Sequence, residues 1–140
     1  MKRSELIKRF YLTGLGTLLA TFGIAQTPGT YTNPLRTADG KMIRVADPFV
    51  FRYDSLYYMT GTTRQNSGFD CYSSPDLVHW TFLGEAYTKP EGHPGTGGFW
   101  APEVFVYRGK FYMTYSSYNP KTRIMLTSLC LLYTSDAADD

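Results

Sequence analysis

One stretch of this chain is written twice, and that repetition constrains the fold more than anything else in it. Adding 54 to each position lays residues 47–63 over residues 101–117. Pro48 falls on Pro102, Val50 on Val104, Phe51 on Phe105 and Tyr53 on Tyr107, while Tyr58, Met59 and Thr60 fall on Tyr112, Met113 and Thr114. Seven of the 17 aligned positions are identical, where unrelated segments of ordinary composition would share roughly one. Each copy reads as two β-strands joined by a tight turn (Asp54-Ser55 in the first), because short apolar, aromatic and β-branched runs bounded by turn residues are strand signals. A repeat of this length made of strands belongs to propeller blades or a β-solenoid.

Four strand-like runs follow one another in the first copy, near 49–52, 56–60, 68–73 and 79–83, with turns at Asp54-Ser55, Thr63–Ser67 and Ser74-Pro75-Asp76. Four antiparallel strands in sequence make one blade. Gly84–Gly98 holds five glycines and two prolines and reads as a loop. A second blade has strands near 104–106, 110–116 and 123–128. No stretch shows a convincing amphipathic helical period. The expected class is therefore all-β, with blade 1 at about 45–98 and blade 2 from about 99 within a propeller unit 45–129. Residues 26–44 form a polar approach segment rich in turn formers.

The two ends read differently. Residues 1–25 place Lys2, Arg3, Lys8 and Arg9 before an uncharged apolar run that ends in Gly23-Ile24-Ala25. This is the layout of a secretory signal peptide cut at Ala25-Gln26. A stable membrane span is disfavoured, because the run is short and diluted by glycine and threonine. The expected location is periplasmic or extracellular. Residues 130–140 (CLLYTSDAADD) break the repeat and resemble a translated sequencing adapter, so the expectation is an artefactual tail on an N-terminal fragment. A blade buries its faces only against its neighbours, and two blades alone are expected not to fold stably.

Residues 26–129 carry 10 Lys and Arg against 8 Asp and Glu, scattered without a run, which argues against a nucleic-acid surface. Cys71 is then the one cysteine, so neither a disulfide framework nor metal-type Cys spacing is present. His79 and His93 have no metal-type partner spacing either. The sequence leaves oligomeric state open.

Three motifs in order carry a resemblance: Val45-Ala46-Asp47-Pro48 at the entrance to the first blade, Ser74-Pro75-Asp76-Leu77-Val78-His79-Trp80 before its outer strand, and Phe99-Trp100-Ala101-Pro102-Glu103 opening the second, followed by Tyr107–Tyr112. On the 54-residue repeat, residues 31–128 resemble the N-terminal part of a glycoside hydrolase family 43 enzyme. The resemblance implies a five-bladed β-propeller that hydrolyses arabinose- or xylose-containing plant polysaccharides or oligosaccharides with inversion. It makes Asp47 the general base, and it puts the acid Glu and a pKa-modulating Asp in later blades. An inverting pair needs a carboxylate to activate water and a carboxylic acid across the sugar, and Asp47 begins the innermost strand of its blade, with Pro48 fixing the backbone there. The bland alternative is that Asp-Pro is a strand-entry turn.

The resemblance also gives Trp100 to the subsite of the cleaved sugar, where an indole face suits the C–H side of a ring, with inter-blade packing as the alternative. Glu103 is expected to hydrogen-bond substrate near the channel rather than to act as the acid. Arg64 and Phe99 are further candidates for the substrate funnel, and Trp80 is expected to pack. No cofactor is expected. Some relatives hold a calcium ion in the channel, but no ligands for one are identifiable in this sequence. A propeller that binds carbohydrate without cleaving it, or an inactive fragment, are the competing readings, and a Glu at the fourth blade's channel position would favour the enzyme.

Overall fold

The computed structural model describes residues 31–133, and the proposed signal segment lies outside them. Seven strands and no helix are present among the described residues. They are β1 (Ala46–Tyr53), β2 (Leu56–Thr62), β3 (Gly68–Ser74), β4 (Thr81–Thr88), β5 (Gly97–Tyr107), β6 (Lys110–Asn119) and β7 (Ile124–Tyr133). β1 to β4 form one antiparallel sheet in sequence order, and β5 to β7 a second.

The sequence repeat is a repeat of register. In the first sheet the β1–β2 pairing runs from Tyr53↔Leu56 to Phe49↔Thr60 and then jumps to Ala46↔Thr62. In the second, Glu103↔Thr114 jumps to Trp100↔Ser116, which is the same pair of rungs shifted by 54. Three residues on the inner strand thus span two on its neighbour, so each inner strand carries a one-residue bulge. The residues inside it are Asp47-Pro48 and Ala101-Pro102. A bulge leaves a backbone N–H out of the ladder, which is where a proline is tolerated within a sheet. At the far end, Arg108 and Gly109 both have positive φ (48° and 70°) between the paired Tyr107 and Lys110, as a type I′ hairpin turn requires.

The two sheets share a core. Phe69 and Tyr87 of the first pack with Phe99, Val104, Met113 and Tyr115 of the second. The Tyr87 and Tyr115 hydroxyls are 2.7 Å apart, and His93 Nε2 is 3.1 Å from the latter. A separate cluster of Met59, Tyr72 and Trp80 lies under the approach segment, against Leu35, Ile43 and Val45. There Trp80 is 2% exposed and donates its indole N–H to Leu77 O at 3.0 Å, so it packs as expected. The approach segment is tied to the blade by a parallel bridge between Thr37 and Trp80.

One expectation is corrected, and one expected boundary falls inside a strand. The glycine-rich stretch 84–98 is not one loop: β4 runs on to Thr88, and β5 begins at Gly97. Gly84 (φ 114°) lies opposite Cys71 at a register shift, and Gly98 (φ 59°) lies within another, so glycines that read as loop are bulge residues. The blade also does not end before Cys130. β7 continues through Cys130, Leu131 and Leu132 and pairs with β6 up to Phe111↔Tyr133. Cys130 and Leu132 turn toward the shared core while Leu129 and Leu131 stay exposed, the alternation a strand needs.

Candidate active site

The two bulges face one another across a cleft of about 210 Å³ lined by Asp47, Pro48, Phe49, Ala101, Pro102 and Glu103. Every lining residue comes from an inner strand, and the equivalent bulges contribute two each. Asp47 has φ +47°, a left-handed conformation rare outside glycine. Its carboxylate lines the cleft, and Thr62 Oγ1 donates to Asp47 Oδ2 at 3.0 Å. The same hydroxyl accepts from the Ala101 backbone N–H at 3.0 Å. Thr62 thus joins the carboxylate of one blade to the bulge of the next.

Gly61 permits this closeness. A Cβ there would overlap Val45 Cγ1 and stand 2.7 Å from Ala46 O and 3.1 Å from Asp47 O. The chain entering Asp47 lies directly on Gly61, and any side chain would push it off.

Glu103 lines the cleft with Asp47, so the structure brings these two sequence candidates together. Trp100 is 45% exposed and directly precedes the Ala101 bulge, and it is not among the lining residues. Neither of the other two candidates reaches the cleft. Phe99 is fully buried (0% exposed), edge-on to Phe69 and stacked on Tyr115. As neighbours on a strand, Phe99 and Trp100 point to opposite faces, and sequence proximity to the Trp does not carry Phe99 to the substrate.

Arg64 is committed inside its own blade. Its guanidinium pairs with Asp70 (3.0 Å) and Glu85 (2.9 Å) and donates to Phe69 O and to Tyr87 O at 2.6 Å. Burial raises the Asp70 carboxyl above its ordinary value, with Arg64 pulling the other way. The residues against Asp47 that sequence reasoning missed are Gly61 and Thr62. The one available signal was a glycine inside a strand pattern, which marks a close backbone approach.

Among the described residues no three His, Cys, Asp or Glu side chains converge as metal ligands. Asp47 and Glu103 alone do not make the oxygen-rich cage that calcium takes. No helix among the described residues is long and apolar enough to cross a membrane.

A bulge-held carboxylate between paired blades can be compared with known proteins. The family model for "Glycosyl hydrolases family 43" matches residues 31–136. This chain belongs to glycosyl hydrolase family 43. Its two sheets are one complete blade and three strands of the next in that family's five-bladed β-propeller.

Among family 43 relatives, the non-reducing end α-L-arabinofuranosidase BoGH43B of Bacteroides ovatus is 34% identical over 122 residues, covering 81% of this chain and 21% of that protein. The extracellular exo-α-(1→5)-L-arabinofuranosidase ArbA of Cellvibrio japonicus is 32% identical over 82 residues, covering 54% of this chain and 23% of that one. The crystal structure of a thermostable family-43 glycoside hydrolase superposes with TM-score 0.64 at 38% identity, over 73% of this chain and 32% of that chain. The chain therefore spans about a fifth of the length of the first of these relatives.

Proposed function

We propose that this chain carries the general-base side of an inverting glycosidase acting on arabinose- or xylose-containing poly- or oligosaccharides, with Asp47 as the base. The observation that supports it most is the place of the carboxylate. Of the two equivalent bulges only the first carries an acid, and Asp47 lines the cleft between the two inner strands with one oxygen held by the Thr62 hydroxyl. Two arabinofuranosidases among the relatives support the sugar class.

In this reading Asp47 takes a proton from water as that water attacks the anomeric carbon, and a Glu of a later blade protonates the leaving oxygen from the opposite face. Glu103 hydrogen-bonds the sugar within the same cleft, and Trp100, next to the lining residue Ala101, offers its exposed indole. The extracellular relative and the N-terminal signal pattern together support export.

The test uses the full-length protein, an aryl arabinofuranoside or xyloside, and Asp47→Asn. General-base assistance is worth ~10²–10⁴-fold, so kcat is expected to fall by about that much with KM little changed. Proton NMR of the first-formed anomer in the wild type should show inversion. The base acts on water, so a better leaving group should not rescue Asp47→Asn. Such rescue would make Asp47 the acid, and near-wild-type activity would make it a turn residue. A wild type that binds oligosaccharide but hydrolyses none would be a carbohydrate-binding propeller.

A further inference from the structure

We infer that Thr62 is the positioning residue for Asp47, and that it lets the second blade set the orientation of a base carried by the first. This rests on the reading of Asp47 as the base. The Ala101 N–H can only donate, so at that contact the Thr62 hydroxyl accepts. A hydroxyl has one proton, which is therefore left for Asp47 Oδ2. The backbone of the next blade thus fixes the direction of the proton, and the proton fixes one carboxylate oxygen. Oδ1 stays available to water.

Two features separate this from ordinary hydrogen-bond satisfaction. Thr62 is 6% exposed and rigid as a β-branched residue. The fixed group is the donor, and the group it holds is the one otherwise able to rotate. Ser116, the equivalent position in the second blade, also keeps a hydroxyl, opposite Trp100, where the bulge presents Ala101; the hydroxyl is shared by the two blades and the carboxylate is not. Finally, Gly61 beside Thr62 lets the backbone entering Asp47 lie against β2, so main chain and side chain of Asp47 are located by consecutive residues.

The test compares kcat and KM of wild type, Thr62→Val, Thr62→Ser, Asp47→Asn and the Asp47→Asn/Thr62→Val double variant in the full-length protein, on an aryl glycoside. Thr62→Val keeps the shape and removes the hydroxyl. A hydrogen bond to a charged, precisely oriented group carries about 10- to 100-fold in rate, so kcat should fall by that much with KM within about twofold. Thr62→Ser should recover most of the loss. In the Asp47→Asn background Thr62→Val should cost little further, since the base it orients is gone. If Thr62→Val does not fold, Thr62→Ser and Thr62→Ala, which differ by the hydroxyl alone, give the same comparison. Loss of activity in Asp47→Asn with full kcat in Thr62→Val overturns the positioning role and leaves the base intact. Full activity in Asp47→Asn overturns the base reading instead. Damage in Thr62→Ser with full kcat in Thr62→Val would assign the effect to packing of the methyl group and also overturn the proposal.

Discussion

Asp47 and Ala101 stand 54 residues apart and share one backbone conformation, φ +47° at each, on opposite walls of the same cleft. One position carries the carboxylate and its twin carries a methyl group, so the strained turn is a property of the blade entrance and the chemistry is added to it. A left-handed non-glycine residue costs about 1–2 kcal/mol. Ala101→Gly removes that cost against a larger loss of chain entropy on folding, and the protein should be unchanged or more stable by up to ~1 kcal/mol. Ala101→Val, branched at Cβ, should be destabilised. Thermal unfolding of both variants checks this.

Gly61→Ala should harm activity through Asp47 without touching substrate. The added Cβ meets the Ala46 and Asp47 carbonyl oxygens, backbone atoms that yield only by moving the strand entrance. Overpacking of this kind costs about 1–3 kcal/mol, and displacement of the base should lower kcat more than it raises KM. Steady-state kinetics with a parallel melting curve separate the two effects.

The two tryptophans should part company. Trp100, exposed next to Ala101, is expected to raise KM on replacement by alanine with little change in Tm, since it offers a surface used by ground state and transition state alike. Trp80, buried against Met59 and Tyr72, should cost about 3–5 kcal/mol as alanine. A lowered Tm in Trp100→Ala with an unmoved KM would make it a packing residue.

Arg64→Ala should act on stability alone. It leaves Asp70, Glu85 and the Tyr87 carbonyl without their shared donor, a loss of about 1–3 kcal/mol for a partly buried group. KM should stay within about twofold. A large rise in KM at unchanged Tm would return Arg64 to the substrate funnel.

Cys71 should be silent to thiol reagents in the folded protein. Burial pushes its thiol from an ordinary value of 9.0 up to about 12, so at pH 8–9 the native state has almost no thiolate while the unfolded chain has a substantial fraction. Because the folded value is raised, the neutral thiol favours the native state, and this contribution declines as the pH rises above about 9. Peptide-resolved alkylation should label Cys71 only after denaturation.

Much of this was legible in the residues. Strands announce themselves through tight turns and aromatic and β-branched runs, which are local properties, and a copy displaced by 54 residues revealed the blade without any structure. Asp47-Pro48 was conspicuous because proline restricts where a strand can begin. The faces of the strands were not legible. A half-exposed strand alternates polar and apolar, but β2 from Tyr58 to Thr62 is buried at every residue, and β3 is buried at all but Asp70. With both faces covered, polarity no longer says which side chain meets the channel and which a neighbouring strand. That is why Thr62 read as an ordinary strand residue; Phe99 lies on β5 and Arg64 between β2 and β3, and what each packs against is set by contacts outside its own segment. Only the docking of the second blade brought the Ala101 N–H to the Thr62 hydroxyl, a contact across 39 residues that no local pattern encodes.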